Sequence, residues 1–209
     1  MKIFDVSLPL HDRMVAYPGD PGFSQEYVRR IAGGAGSNNS RVSVGSHTGT
    51  HLDAPLHFIN GAATLEELPL EALVGPARVF ALEVTEKITA ADLAPLDWEG
   101  VRRVLFRTRN SELWSGEGFV PEFIYLTGDA AEFLVGRQIV LVGVDCLSVD
   151  QFRAPGHPAH HALLGAGVAA LEGLNLSEAP PGDYLLVCAP LRVLGAEAAP
   201  ARVFLLQGV

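Results

Sequence analysis

Three histidines and an aspartate fall within eleven residues of this chain, in the run His47-Thr48-Gly49-Thr50-His51-Leu52-Asp53-Ala54-Pro55-Leu56-His57. Imidazole and carboxylate bind borderline divalent metals, and imidazole also carries protons near neutral pH. Both types crowded together point to a site that holds a metal ion and moves protons. Gly49 and Pro55 exclude a helix interior, so the backbone is extended or looped. Side chains alternate along an extended chain, and His47, His51, Asp53 and His57 all carry odd numbers, which projects all four to one side. On an ideal helix only His47 and His51, four apart, would be neighbours. The competing interpretation is a polar turn whose histidines are merely hydrogen-bonded. Four clustered titratable groups call for a stronger reason than that.

A second group, His157, His160 and His161, precedes an apolar run that ends in Glu172. One straight helix would separate His160 from Glu172 by about 18 Å at 1.5 Å per residue, too far to share an ion. Gly165 and Gly167 let the helix stop, and residues 168–174 then return as a strand. On residue pattern alone Glu172 is a solvent-facing strand residue and His160 or His161 a helix-start residue. Asp145 and Asp150 follow an apolar strand; either is a turn or cap residue, with Asp145 the better candidate to support a ligand. Tyr17 sits in the loop Tyr17-Pro18-Gly19-Asp20-Pro21-Gly22, where its ring either lies over a pocket or packs on the loop itself. Neither a Gly-x-Ser-x-Gly motif nor a cysteine beside the histidines is present, which counts against a covalent nucleophile.

The elements that must position these groups read mostly as strands. Residues 3–8 and 41–46 alternate apolar and polar, the latter leading into the histidine cluster. Residues 64–74 read as one short helix with Thr64 as cap and Glu67 completing a capping box. Residues 78–84, 101–108, 184–189 and 202–206 are strand-like, residues 89–93 a short helix start, and residues 130–135 a helix capped by Thr127-Gly128-Asp129. The continuous apolar run 139–144 indicates a strand buried on both faces.

At 209 residues the chain is long enough for one domain with a sizeable core. Hydrophobic residues make up 48% and mean hydropathy is +0.24, which leaves apolar surface for a subunit interface. No apolar run is long enough to span a membrane. With 24 acidic against 15 basic residues and net charge −9, no basic stripe is available for nucleic acid. The amino terminus shows no export signal, which indicates a cytoplasmic protein. Cys146 and Cys188, each in an apolar run, read as buried reduced thiols.

The run from His47 to Phe58 resembles the signature of the metal-dependent cyclase-like hydrolase family, which includes bacterial kynurenine formamidases and isatin hydrolases. The similarity continues through Asp5-Val6-Ser7-Leu8-Pro9-Leu10, Tyr17-Pro18-Gly19-Asp20, Leu105-Phe106-Arg107-Thr108, Val142-Gly143-Val144-Asp145, residues 160–172 and Ala189-Pro190-Leu191-Arg192. The resemblance implies an α/β fold with a mixed, barrel-like central β-sheet flanked by helices, of swivelling β/β/α type, as one domain in a homodimer. It implies that His47, His51 and Asp53 bind one divalent ion and that Asp53 and Glu172 bridge toward a second held by His160, with zinc the first choice and manganese the second. His57 is then the proton carrier and Tyr17 a substrate-binding residue, although kynurenine formamidases typically carry tryptophan at Tyr17. The implied reaction is hydrolysis of a small-molecule amide, foremost an N-formyl arylamine such as N-formylkynurenine. The alternatives are ring opening of isatin, a lactam or a lactone, and a metal-holding protein without turnover.

Overall fold

Alternation of apolar residues decides which face each strand buries. The computed structural model describes residues 1–116 and 118–208. Its strands are β1 (Lys2–Asp5), β2 (Phe23–Arg29), β3 (Asn39–Val44), β4 (His51–Asp53), β5 (Val74–Ala81), β6 (Lys87–Ile88), β7 (Arg103–Arg107), β8 (Tyr125–Leu126), β9 (Leu141–Val144), β10 (Ala169–Glu172), β11 (Gly182–Pro190) and β12 (Ala198–Gln207). The helices are α1 (Leu70–Leu73), α2 (Ala90–Leu93), α3 (Asn110–Leu113), α4 (Gly128–Gly136) and α5 (Pro158–Gly165).

Seven strands close into a ring in the order β12-β11-β5-β7-β9-β10-β4, with β4 pairing back onto β12. β4 pairs with one end of β12, at Ala198 to Pro200, and β1 with the other, at Phe204 to Gln207. The pairs β5–β7, β7–β9 and β9–β10 are parallel, while the remaining pairs of the ring are antiparallel. The expected mixed, barrel-like sheet flanked by helices is therefore what the chain forms. A ring of this size is filled by side chains. Leu52, Val79, Leu105, Leu141, Leu171, Leu186 and Leu205 pack together in one buried cluster. Their neighbours Val104, Phe106, Val142, Val144 and Ala170 turn the other way, against Leu93, Leu134 and Leu163 of the helices. The parallel strands are thus covered on both faces, as the run 139–144 indicates. Strands β2 and β3 form a separate ribbon, as do β6 and β8.

This alternation puts the chemistry on the outer face. Leu52 and Leu171 point into the ring, so His51, Asp53 and Glu172 point out of it, on the side of Ala170 and α5. Gly165 ends α5 and Gly167, at φ +74°, reverses the chain into β10. The helix and returning strand expected for residues 160–174 are both present.

Two local expectations are corrected. Residues 64–74 are not one helix: the Thr64 amide donates to Glu67 at 2.9 Å as the capping box requires, but only a 3-10 turn (Leu65–Glu67) follows. Pro69 interrupts the helix, because its ring disfavours helical backbone at Leu68 and it has no N–H; α1 then starts afresh and Val74 already belongs to β5. The extended conformation expected over residues 47–57 holds only for β4. His47 lies in a turn before Gly49, which has φ +70°. His57 ends a 3-10 turn (Pro55–His57) with proline at its start. Of the strand expected over residues 41–46 only 41–44 are extended, in β3, which belongs to the separate ribbon and does not join the ring.

Gly173 couples this fold to the site. It has φ +68°, and a Cβ there would stand 2.3 Å from the Gly49 carbonyl oxygen. The Gly173 amide donates to the Cys146 carbonyl at 2.7 Å, and its own carbonyl accepts the Thr50 hydroxyl. Gly173→Ala is expected to cost about 3 kcal/mol, combining left-handed strain with a backbone clash. Urea unfolding checks this; an unchanged midpoint would contradict the close approach.

Candidate metal centre

Each side chain reaches the site through a different local device. His51 faces Glu172 directly across the antiparallel β4–β10 pair, and Asp53 lies opposite Ala170. The turn before β4 swings His47 over the strand, with Nδ1 3.0 Å from Asp53 Oδ1. The 3-10 turn after β4 brings His57 back, its ring 4.0 Å from that of His47 and Nε2 3.9 Å from Asp53 Oδ2. His160, on the first turn of α5, points Nε2 at Glu172 Oε1 (3.1 Å) and Asp53 Oδ2 (3.5 Å). His51 Nε2 approaches Glu172 Oε2 at 3.2 Å and Asp53 Oδ1 at 3.5 Å. All six residues implied for ion binding and proton transfer therefore meet in one place. His161 is exposed, which separates it from its neighbour His160.

His51, Asp53, His160 and Glu172 are between 0% and 3% exposed. Yet His51 Nε2, both Asp53 carboxylate oxygens and His160 Nε2 have no hydrogen-bond partner. Buried polar atoms are normally satisfied, so four orphans converging on one point require an explanation. Nitrogen and oxygen donors in this arrangement fit a divalent ion. The outer sides of the rings are occupied: His51 Nδ1 contacts the Gly49 carbonyl at 2.8 Å and His160 Nδ1 contacts Asp150 at 2.6 Å. The Val149 amide donates to Glu172 Oε1 at 2.7 Å, and Glu197 Oε1 stands 3.5 Å from His47 Nε2.

A cavity of about 180 Å³ opens onto these groups, lined also by Tyr17, Phe58, Leu147 and His157. Tyr17 lines the cavity, and its ring packs edge-on against Phe119 and Phe152, at 5.7 and 5.4 Å, from other segments rather than on its own loop. Asp145 takes no part. It accepts hydrogen bonds from Thr108 and Ser111 and so ties two loops together. Asp150, the less favoured of the two aspartates, is the one beside a histidine. Glu197 and the Gly49 carbonyl were not signalled by any motif.

Residues 4–151 match the model of the Cyclase family, described as "Putative cyclase". The chain belongs to this family. Over 208 residues it is 35% identical to the kynurenine formamidase of Polaromonas naphthalenivorans (strain CJ2), covering 98% of this chain and 91% of the relative. A solved structure described as a potential metal-dependent hydrolase with cyclase activity superposes with TM-score 0.84 at 41% identity, covering 98% of this chain and 96% of the other. Isatin hydrolase A from Labrenzia aggregata, bound to benzyl benzoate, gives TM-score 0.81 at 27% identity, with coverage of 98% and 93%.

Charge in this cyclase-family centre is balanced by protons when no ion is bound. Burial pulls the His51 imidazole down, but neighbouring Glu172 and Asp53 outweigh it and raise it to about 9. Burial likewise opposes, and nearby carboxylates overcome, the rise at His47 and His160. Burial and the charge of Asp53 push the Glu172 carboxyl up, yet His160 and His51 hold it down at about 2. Asp53 lies well below the ordinary carboxylate range for the same reason. His57 moves the opposite way to the other histidines: burial lowers it, Asp53 resists, and His47 and His160 add to the fall.

His51 is raised from 6.5 to about 9, so its stabilisation of the metal-free chain is full below pH 6.5 and is lost as pH rises through about 9. The melting midpoint of chelator-treated protein is expected to fall across that interval, with added divalent ion restoring most at its upper end. Calorimetry at stepped pH checks this, and a midpoint that rises with pH in the metal-free protein counts against it.

Proposed function

We propose that this chain is a divalent-metal-dependent amide hydrolase acting on an N-formyl arylamine, N-formylkynurenine first, to release formate and the free amine. The observation that carries this reading is the convergence of four unpartnered buried donor atoms of His51, Asp53 and His160 beside a cavity lined by His51, His57, His160 and Glu172. The likeness to kynurenine formamidase over nearly the whole chain supports the choice of substrate.

In this reading His47, His51 and Asp53 would hold one ion, and Asp53 and Glu172, with His160, would hold a second. Zinc is preferred, then manganese, because mixed imidazole and carboxylate donors suit both. When bound, such an ion would make a water acidic enough to ionise near neutral pH and would act as a Lewis acid for the substrate carbonyl. His57, held neutral by burial and by its histidine neighbours, takes the proton from the attacking water. It returns that proton to nitrogen as the C–N bond breaks, so oxygen ends on formate and hydrogen on the amine. Tyr17 and Phe58 offer the substrate's ring an apolar wall.

The reading includes a cytoplasmic homodimer. Two buried free thiols support the compartment, and exposed Tyr27, Val28 and Val42 on the β2–β3 ribbon support pairing. Among the described residues no helix is long and apolar enough to cross a membrane. A second reading, ring opening of a cyclic amide such as isatin, is favoured by the likeness to isatin hydrolase A.

Purified protein is expected to release formate from N-formylkynurenine, to stop after chelation and to recover with zinc or manganese. Turnover of isatin without formate release selects the second reading, and bound metal with no turnover of any amide or lactone overturns both. His57→Ala is expected to keep its metal and lose roughly 10²- to 10⁴-fold in kcat. Full rate in that variant removes His57 from proton transfer.

A further inference from the structure

Asp150 is buried at 1% exposure, and among the described residues its ion-pair contacts are with imidazoles: His160, at 2.6 Å, and His157, at 4.0 Å. It performs two tasks with one carboxylate. Helix α5 has no side-chain cap of its own, and its first free amides are satisfied by Asp150: Oδ1 accepts Ala159 N–H at 2.8 Å and Oδ2 accepts His160 N–H at 3.1 Å. The same Oδ2 stands 2.6 Å from His160 Nδ1. An ionised carboxylate only accepts, so Nδ1 must carry the hydrogen. That leaves Nε2 as the atom free to ligate, and Nε2 is the one without a partner, aimed at Asp53 and Glu172.

Backbone and ring are therefore fixed by one anchor. The Asp150 amide is itself tied to the Ser148 hydroxyl at 3.2 Å, and the adjoining Val149 amide holds Glu172. The loop after β9 thus sets the orientation of both groups that the last third of the chain brings to the centre. We propose that Asp150 is a positioning residue for ion binding: it locks His160 in the Nδ1–H tautomer and thereby sets the affinity of the half-site that His160 shares with Glu172. This rests on reading the cluster as a divalent-ion centre. The competing role is a helix cap and nothing more.

Asp150→Asn is nearly isosteric and keeps an oxygen for the Ala159 amide. It turns an NH2 group toward His160, which favours the wrong tautomer. The readouts are Zn2+ affinity by competition with a chromophoric chelator, the visible absorption of the Co2+-loaded protein, and the melting midpoint. Expected are on the order of 10- to 100-fold weaker Zn2+ binding, an altered Co2+ spectrum, and no further loss when the change is made in a His160→Ala background. Wild-type affinity in Asp150→Asn overturns the proposal, as does a full additional loss in the His160→Ala background. Should Asp150→Asn not fold, Asp150→Ser retains a hydroxyl that caps the helix but is too short to reach the imidazole; weaker Zn2+ binding there supports the proposal and unchanged binding overturns it. Failure of the unaltered protein to take up Zn2+ or Co2+ instead overturns the ion-centre reading and this proposal with it.

Discussion

Two carboxylates, Asp53 and Glu172, lie on paired strands with side-chain exposures of 0% and 3%. Among the described residues their ion-pair partners are imidazoles, with no lysine or arginine. Burying an unpaired charge costs several kcal/mol, so this pair is tolerable only with positive charge between its members. The other site residues are arranged around that requirement. Ring closure through β4 brings the carboxylates together, a turn and a 3-10 turn fold His47 and His57 over them, and α5 delivers His160 to both. A bound cation and protonated histidines are alternative ways to meet the same demand, which is why loading and proton release must be coupled.

The two hydrophobic layers divide the labour. The cluster inside the ring, with Leu105, Leu141 and Leu171, sets the positions of the strands. The cluster outside, between the parallel strands and α2, α4 and α5, sets the position of the helix that carries His160. His51, Asp53, Glu172 and His160 come from β4, β10 and α5, whereas His47 and His57 come from turns and the rest of the cavity wall from segments bearing Tyr17, Phe58 and His157.

Much of this was legible in the residues, because the signals were local. The spacing of His47, His51, Asp53 and His57 announced a cluster, the apolar run ending at Val144 announced a buried strand, and Gly165 with Gly167 announced the reversal that returns Glu172. What failed had a physical cause. Gly49 and Pro55 confine alternation to the three residues of β4 rather than all eleven, and Pro69 splits the helix that the capping box at Thr64 signals. Glu172 alone read as a solvent-facing charge, because nothing beside it in sequence reveals an antiparallel partner at His51. Asp145 and Asp150 both follow the β9 strand and carry the same chemistry. Only the path of the intervening loop sends one to Thr108 and Ser111 and the other to His160.

β4 closes the ring with only three residues, pinned between β10 and β12. A slip by a single position would turn Leu52 outward and drive His51 and Asp53 into an apolar interior. So short a strand has little hydrogen bonding with which to reject that mistake. The rejection comes from side chains: a misaligned seam buries charge among leucines and presents no complete set of donors. A divalent ion held there would therefore favour the correctly zipped ring over its shifted competitor, and act as a proofreader of that closure.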